Sequence, residues 1–455
     1  MATSSLTGGR WERGLVLTLS PGAVVLAAAI PILFLHVHYQ PGFAVAFGST
    51  SVNAYLSDFA VLAVVVVAVW SGIRDGFAPL ARGRWLWLAL ALFFAWVLFE
   101  VGYGRLHAAA YPWREHGVTA AKFAEYALLA PALPLLVRRA RDLVLPLWSL
   151  ALWSAFASGV GVAQFFGARI FFPGAVGHRQ ASFLSEADFA ALSGGALLAG
   201  LVALAVPRLG LGRRYGVVAT VAGALGAILA GSVASVLGLL LALVALALVL
   251  VVRRELSPRV AAVTVGVAVA VAAGTVAIRG NDLEAFGRFL GTNLGKQQTQ
   301  QAKVQTYAHR TLLAWIGIQI WKDHPVLGVG WEGSSEPVNF LPYLPAAHRR
   351  FPTESPLAFP SAAPDRRYGV QDIWIQALAD LGVLGLVLWA AVFVAGAWLA
   401  ATAAVRLGLA TGLIGLAWIC LVVGLWTAQG YVAGIPLDAL TWLAFGLAAT
   451  VPAKA

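Results

Sequence analysis

The chain has 455 residues, 60% of them hydrophobic and only 11% charged, with a mean hydropathy of +0.82. A water-soluble domain carries roughly a quarter charged residues, so this composition excludes a chain that has water as its main solvent. The net charge of +11 comes mostly from Arg lying between apolar runs, which suits anchoring to membrane lipids and gives no ground for a nucleic-acid partner.

Apolar windows of membrane-spanning length recur almost end to end. They fall near 15–36, 52–72, 85–103, 119–137, 143–166, 187–206, 215–230, 233–252, 260–278, 371–399, 406–426 and 432–451. The expected fold is therefore all-α: a polytopic transmembrane helical bundle of about 12 spans without an internal repeat. The first window is followed by further spans and lacks a small-residue cleavage site, so it reads as a retained signal-anchor. Basic residues mark alternate connections: Arg10 and Arg13, then Arg74, Arg82 and Arg84, then Arg138, Arg139 and Arg141, then Arg208, Arg213 and Arg214, then Arg253, Arg254 and Arg259, and finally Arg406. By the positive-inside rule both termini are cytoplasmic and the long connection lies outside. The chain divides into 1–278 with spans one to nine, an extracytoplasmic loop at 279–370, and 371–455 with spans ten to twelve. The lone cysteine, Cys420, lies inside an apolar run, so an intramolecular disulfide or cysteine-based metal site is excluded.

Ionisable residues at membrane depth are costly and invite a functional reading. Asp58, Glu100, Lys122, Glu125, Glu186, Asp188, Asp380 and Asp438 fall in or at the ends of spans. For Asp58, Glu100 and Asp438 the simpler expectation is snorkelling or pairing with a neighbouring helix. Just before the sixth span, HRQASFLSEADFAALSGG (178–195) joins Arg179 to a turn and a helix start, with Ser185 as expected cap. A guanidinium there suits a phosphate or pyrophosphate, or else pairs with Glu186 or a lipid headgroup.

The ninety-residue loop is too long to be a plain connection. From Tyr307 its apolar residues recur at helical spacing through Trp321, which predicts an amphipathic helix ending at Asp323 to Pro325 and either lying on the membrane surface or packing on the bundle. His309 and Arg310 open it, and Gly328-Val-Gly330 follows as a sharp turn. His309 and His324 are not at metal-ligand spacing. Repeated prolines from Pro337 to Pro364 exclude long helices afterwards and point to an ordered, irregular lid, while QQTQQ at 297–301 reads as a mobile segment. At the re-entry into the membrane, YGVQDIWIQALADLGVLG places Gln371, Asp372 and Gln376. No Ser-His-Asp set, phosphate loop or HExxH helix is present.

Taken in order, these clusters resemble the O-antigen ligase and O-antigen polymerase superfamily of bacterial membrane glycosyltransferases. The resemblance rests on Arg179 with Ser182-Phe183, on Arg310, Trp315 and Pro325-Val-Leu-Gly328-Val-Gly330, on Gln371-Asp372 through Asp380, Gly382 and Gly385, and on the early Ser57-Asp58 helix. It implies transfer of a glycan from undecaprenyl pyrophosphate to a sugar hydroxyl at the outer face of the cytoplasmic membrane, without cofactor or metal. It also implies a glycan or lipid-linked glycan acceptor, and a pyrophosphate held by Arg179 and Arg310. Two departures stand out. The catalytic His of the ligases is replaced by Gln371, a neutral amide that cannot act as a base. The connection after the seventh span, often Ser-Arg-Gly in relatives, reads Ser232-Val233-Ala234. Asp372 is the preferred substitute base, with His309, His348, Glu354, Glu332 and Asp365 as further candidates. The departure at Gln371 tilts the expectation toward polymerase. A transporter or lipid-linked glycan flippase, and a non-catalytic scaffold of polysaccharide assembly, are the alternatives.

Overall fold

The computed structural model describes residues 20–47, 50–107, 110–206, 211–289, 307–351, 369–431 and 434–452. Its helices are α1 (Pro21–Leu33), α2 (Leu56–Asp75), α3 (Arg84–His107), α4 (Trp113–Ala127), α5 (Leu129–Leu136), α6 (Val144–Phe165), α7 (Glu186–Ala205), α8 (Gly212–Ala230) and α9 (Val233–Val252). There follow α10 (Pro258–Phe289), α11 (Tyr307–Asp323), α12 (Pro337–Phe340), α13 (Leu344–Arg350), α14 (Ile373–Arg406), α15 (Ala410–Trp426) and α16 (Ile435–Ala449).

Each predicted window falls on one of these helices, the fourth on α4 and α5 together. Among the described residues seven helices are long and apolar enough to cross a membrane, and three further apolar helices, α1, α15 and α16, are shorter. The chain is a polytopic helical membrane protein. Three boundaries differ from expectation. The second helix begins only at Leu56, because Gly42–Phe47 (β1) and Thr50–Tyr55 (β2) pair as an antiparallel hairpin. The helix α10 runs on past residue 278 to Phe289, and Arg406 lies in the last turn of α14 rather than in a connection.

Local chemistry explains the starts. Ser20, Ser185, Ser232 and Asp372 each turn a side-chain oxygen onto a backbone N–H in the first turn of α1, α7, α9 and α14. The bundle centres on α7, α15 and α16, whose residues are almost all buried. Small residues bring α7 and α8 to backbone contact: a Cβ on Gly223 would lie 2.5 Å from the Leu197 nitrogen. By contrast α10 is peripheral, with only 11% of its apolar window buried.

Of the charged residues singled out in the spans, Asp58 is paired as expected, with Lys122 of α4, and also accepts from the Tyr126 hydroxyl at 3.1 Å. The helix of the loop packs on the bundle, one of the two placements expected for it. Leu312, Leu313, Ile316 and Ile320 of α11 form a core with Phe340, Ala347 and Ala379 of α14. The 297–301 segment and the prolines from Pro352 to Pro364 lie outside the described residues.

Candidate functional site at one end of the bundle

Arg179 sits in the connection between α6 and α7, whose path is set by two buried glutamines. Gln180 donates to the carbonyls of Ala175 and His178, at 2.9 Å each, and accepts from Gly174 N–H, while its own N–H donates to Leu229 at the end of α8. Gln164 donates to Ile170 and Ser182 and accepts from Ser182 N–H. Ser182 takes the left-handed φ of +59°, uncommon for a residue with a side chain, and its hydroxyl donates to Ala157 at 2.8 Å. A connection that must satisfy its polar groups inside the membrane end thus does so through amide side chains, and the backbone carrying Arg179 is fixed. The Arg179 side chain is 32% exposed and pairs with Glu186 at 3.3 Å. Two residues on, Asp188 accepts from the Ser185 hydroxyl at 2.8 Å and lies against Gly434, where α16 begins.

Arg310 is half-buried in the first turn of α11, which His309 also belongs to. The glycine turn beyond α11 docks on a break in α14. Gly382 there has φ +67°, and a Cβ on it would lie 2.0 Å from the Val326 carbonyl. The turn donates from Val329 and Gly330 N–H to the carbonyls of Ala379 and Asp380, and Val383 N–H donates back to Pro325. These bonds satisfy backbone groups that the break frees.

Trp331, fully buried, follows the turn. Its indole N–H donates to Thr119 at 2.9 Å, its carbonyl accepts from the Tyr111 hydroxyl at 2.6 Å, and its ring lies 4.5 Å from that of Tyr431. Glu332 and Glu336 then grip His116, which stands at the start of α4 ahead of its apolar run: Nδ1 is 3.2 Å from Glu332 and Nε2 is 3.1 Å from Glu336. Burial works to lower the imidazole pKa, but the two carboxylates outweigh it and push it up to about 9. At neutral pH His116 is a charged fastener and not a free base.

Asp372 caps α14. Its Oδ1 accepts from Trp374 and Ile375 N–H at 3.0 and 3.1 Å, the helix-capping role. Burial raises its carboxyl above the usual carboxylate value, against the pull of those two N–H groups. Gln371 beside it is half-buried. Below them Gln376 accepts from Tyr431 N–H at 2.8 Å, and Asp380 accepts from Ser334 N–H at 2.7 Å, so one face of α14 carries Asp372, Gln376 and Asp380.

Of the residues singled out from the sequence, Glu332 is drawn to His116 and Arg179 to Glu186, while His348 is exposed on α13. Glu354 and Asp365 lie outside the described residues. His116, Glu336 and Gln164 belong to no motif; His116 and Gln164 stand near the edge of an apolar window, while Glu336 lies within the long loop and Gln180 within the segment already marked by Arg179. Among the described residues no three His, Cys, Asp or Glu side chains gather as metal ligands would.

No curated protein matches the chain. Residues 218–390, from α8 through the loop to the middle of α14, match the family model described as O-Antigen ligase. That segment takes in Arg310, the glycine turn and the Asp372 cap, and leaves out Arg179. The match supports the resemblance carried by the motifs: this multi-pass membrane protein is similar to the O-antigen ligase and polymerase superfamily.

Proposed function

We propose that the protein is a membrane glycosyltransferase that moves a glycan from undecaprenyl pyrophosphate to a sugar hydroxyl at the outer face of the cytoplasmic membrane, as a polymerase in preference to a ligase. The acceptor oxygen attacks the anomeric carbon, the bond from that carbon to the pyrophosphate oxygen breaks, and the pyrophosphate leaves with the electron pair. Arg179 and Arg310 meet the charge that grows on it, which is the work a divalent metal does elsewhere. Asp372 takes the hydroxyl proton through the oxygen that does not cap the helix. In this reading 1–278 and 371–455 form the scaffold, 279–370 is the extracytoplasmic loop, and both termini are cytoplasmic. Gln371 in place of a ligase histidine is the reason polymerase is preferred.

The observation that carries the reading is the presentation of Arg179. It is a partly exposed guanidinium on a backbone braced by two buried glutamines, at the bundle end where α11 and the α14 cap also meet. The test is turnover by purified protein given an oligosaccharide on polyprenyl pyrophosphate. The expected result is release of the pyrophosphate lipid and a longer glycan, unaltered by EDTA. Flux of the lipid-linked glycan across liposomes without any new glycosidic bond would overturn it in favour of a flippase.

A further inference from the structure

The connection between α1 and α2 builds a groove beside the one that carries Arg179. Gln40, buried, ties its two ends together: the amide donates to the Leu35 carbonyl at 2.7 Å and accepts from Ser57 N–H at 2.8 Å. Between those ends the β1–β2 hairpin alternates its faces residue by residue. Phe43, Val45, Val52 and Ala54 fall on one face, and the Phe43 ring lies 6.1 Å from that of Phe59 on α2. Gly42 and Ala44 fall on the other, opposite Tyr55 and Asn53. A Cβ on Gly42 would lie 2.7 Å from Tyr55 Cδ1, so the phenol ring rests against bare backbone. These small residues leave a groove of about 460 Å³, walled by His36 and His38, within the range of about 300–1,000 Å³ that small-molecule sites occupy.

Two contacts join the groove to the α6–α7 connection. His36 N–H donates to the Phe183 carbonyl at 3.4 Å, and the Phe172 ring lies 5.1 Å from His36 and 5.3 Å from His38. Nδ1 of His36 accepts from His38 N–H at 3.2 Å, which leaves Nε2–H as a donor. Burial, and then the neighbouring His38, hold this imidazole below its ordinary pKa, so it is neutral at pH 7. Among the described residues no Asp, Glu, Lys or Arg lines the groove. An anion finds no fixed partner there, and a wholly apolar ligand would take water from the ring nitrogens and the Asn53 amide without replacing it. Ring faces beside uncharged donors and acceptors match a pyranose, which offers C–H faces and hydroxyl edges.

We propose that this groove is a saccharide subsite that takes one uncharged pyranose unit of the glycan, with Tyr55 and the imidazole rings against its C–H faces and His36, His38 and Asn53 bonded to its hydroxyls; this rests on the function proposed above. The groove then selects the glycan by its sugar, apart from the charge that Arg179 reads.

The test puts the full chain, in phosphatidylcholine nanodiscs, on an array of neutral lipid-free oligosaccharides of hexose, N-acetylhexosamine and deoxyhexose. Wild type is expected to bind at least one of them. Asn53→Ala and His38→Ala are expected to weaken that binding at least about tenfold, and so is Ala44→Trp, which fills the groove and removes no polar group. Val45→Trp, on the opposite face of the hairpin, is expected to leave it unchanged. No binding by wild type, wild-type affinity in Ala44→Trp, or an equal loss in Val45→Trp would overturn the proposal. In a transfer assay Asn53→Ala is expected to raise KM, and whether it rises for the acceptor or for the donor tells which glycan carries the bound unit. A KM unchanged for both sinks this inference alone. Oligosaccharide binding by a wild type that transfers nothing sinks the enzyme reading alone.

Discussion

Two regions at the same end of the bundle handle charge in opposite ways. Around Arg179 the charged groups are part exposed, and uncharged amides, Gln164 and Gln180, do the holding. Around His116 the charged groups are themselves the fasteners, buried and closed on one another. The difference teaches which region has charge to offer. An ion pair sealed between a loop and a helix is spent on attachment, while the part-exposed pair of Arg179 with Glu186 stays open to solvent, which suits the ligand role proposed for Arg179.

The comparison breaks most visibly if charge at the first region does not matter. Arg179→Ala is expected to lower glycan transfer by at least about 100-fold while the protein still accumulates in the membrane, and Arg310→Ala to do the same. Transfer near wild-type rate in either variant removes that residue from the site. At the second region the expected loss is of stability. Trp331→Ala empties a fully buried site and should cost about 3–5 kcal/mol, seen as a lower thermal inactivation temperature. His116→Gln leaves two buried carboxylates without their cation and should cost up to about 3–5 kcal/mol, with protease cleavage appearing in the 307–351 region. Unchanged thermal and protease resistance would show that this cluster is no fastener.

The same imidazole gives a finer test by pH. Its folded pKa, about 9, lies above the ordinary 6.5, so its stabilisation is fully present below 6.5 and is lost as pH rises through about 9. The inactivation temperature should fall across that window in the wild type and stay flatter in His116→Gln; parallel curves would contradict the assignment. The smallest effect sharpens the first region. Gln180→Leu removes the bonds to Ala175 and His178 without touching any charge, and should lower transfer by about tenfold through misplacement of Arg179.

Much of the fold was legible because membrane helices announce themselves locally. The apolar windows, the cap at Ser185 and the loop helix from Tyr307 all depend on neighbours a few residues apart. The β1–β2 hairpin was hidden because its apolar residues merged with the window that follows. The site was legible only where a motif marks a residue, as at Arg179, Arg310 and Asp372. His116 and Glu332 are 216 positions apart, and Arg279 meets the turn at Gly231 across 48. No periodicity records such pairs, because they exist only once tertiary packing has brought α4 to the loop and α10 to α8.

The break in α14 has a consequence for building chimaeras. A glycine turn and a helix break made about fifty residues later in synthesis share one set of backbone bonds, so neither half is complete until the other is in place. Exchange of the loop between relatives therefore has to carry Pro325–Gly330 and Ala379–Val383 together. A graft cut at the start of α14 alone would pair one protein's turn with another protein's break, and the backbone groups that the two now satisfy for each other would lose their partners.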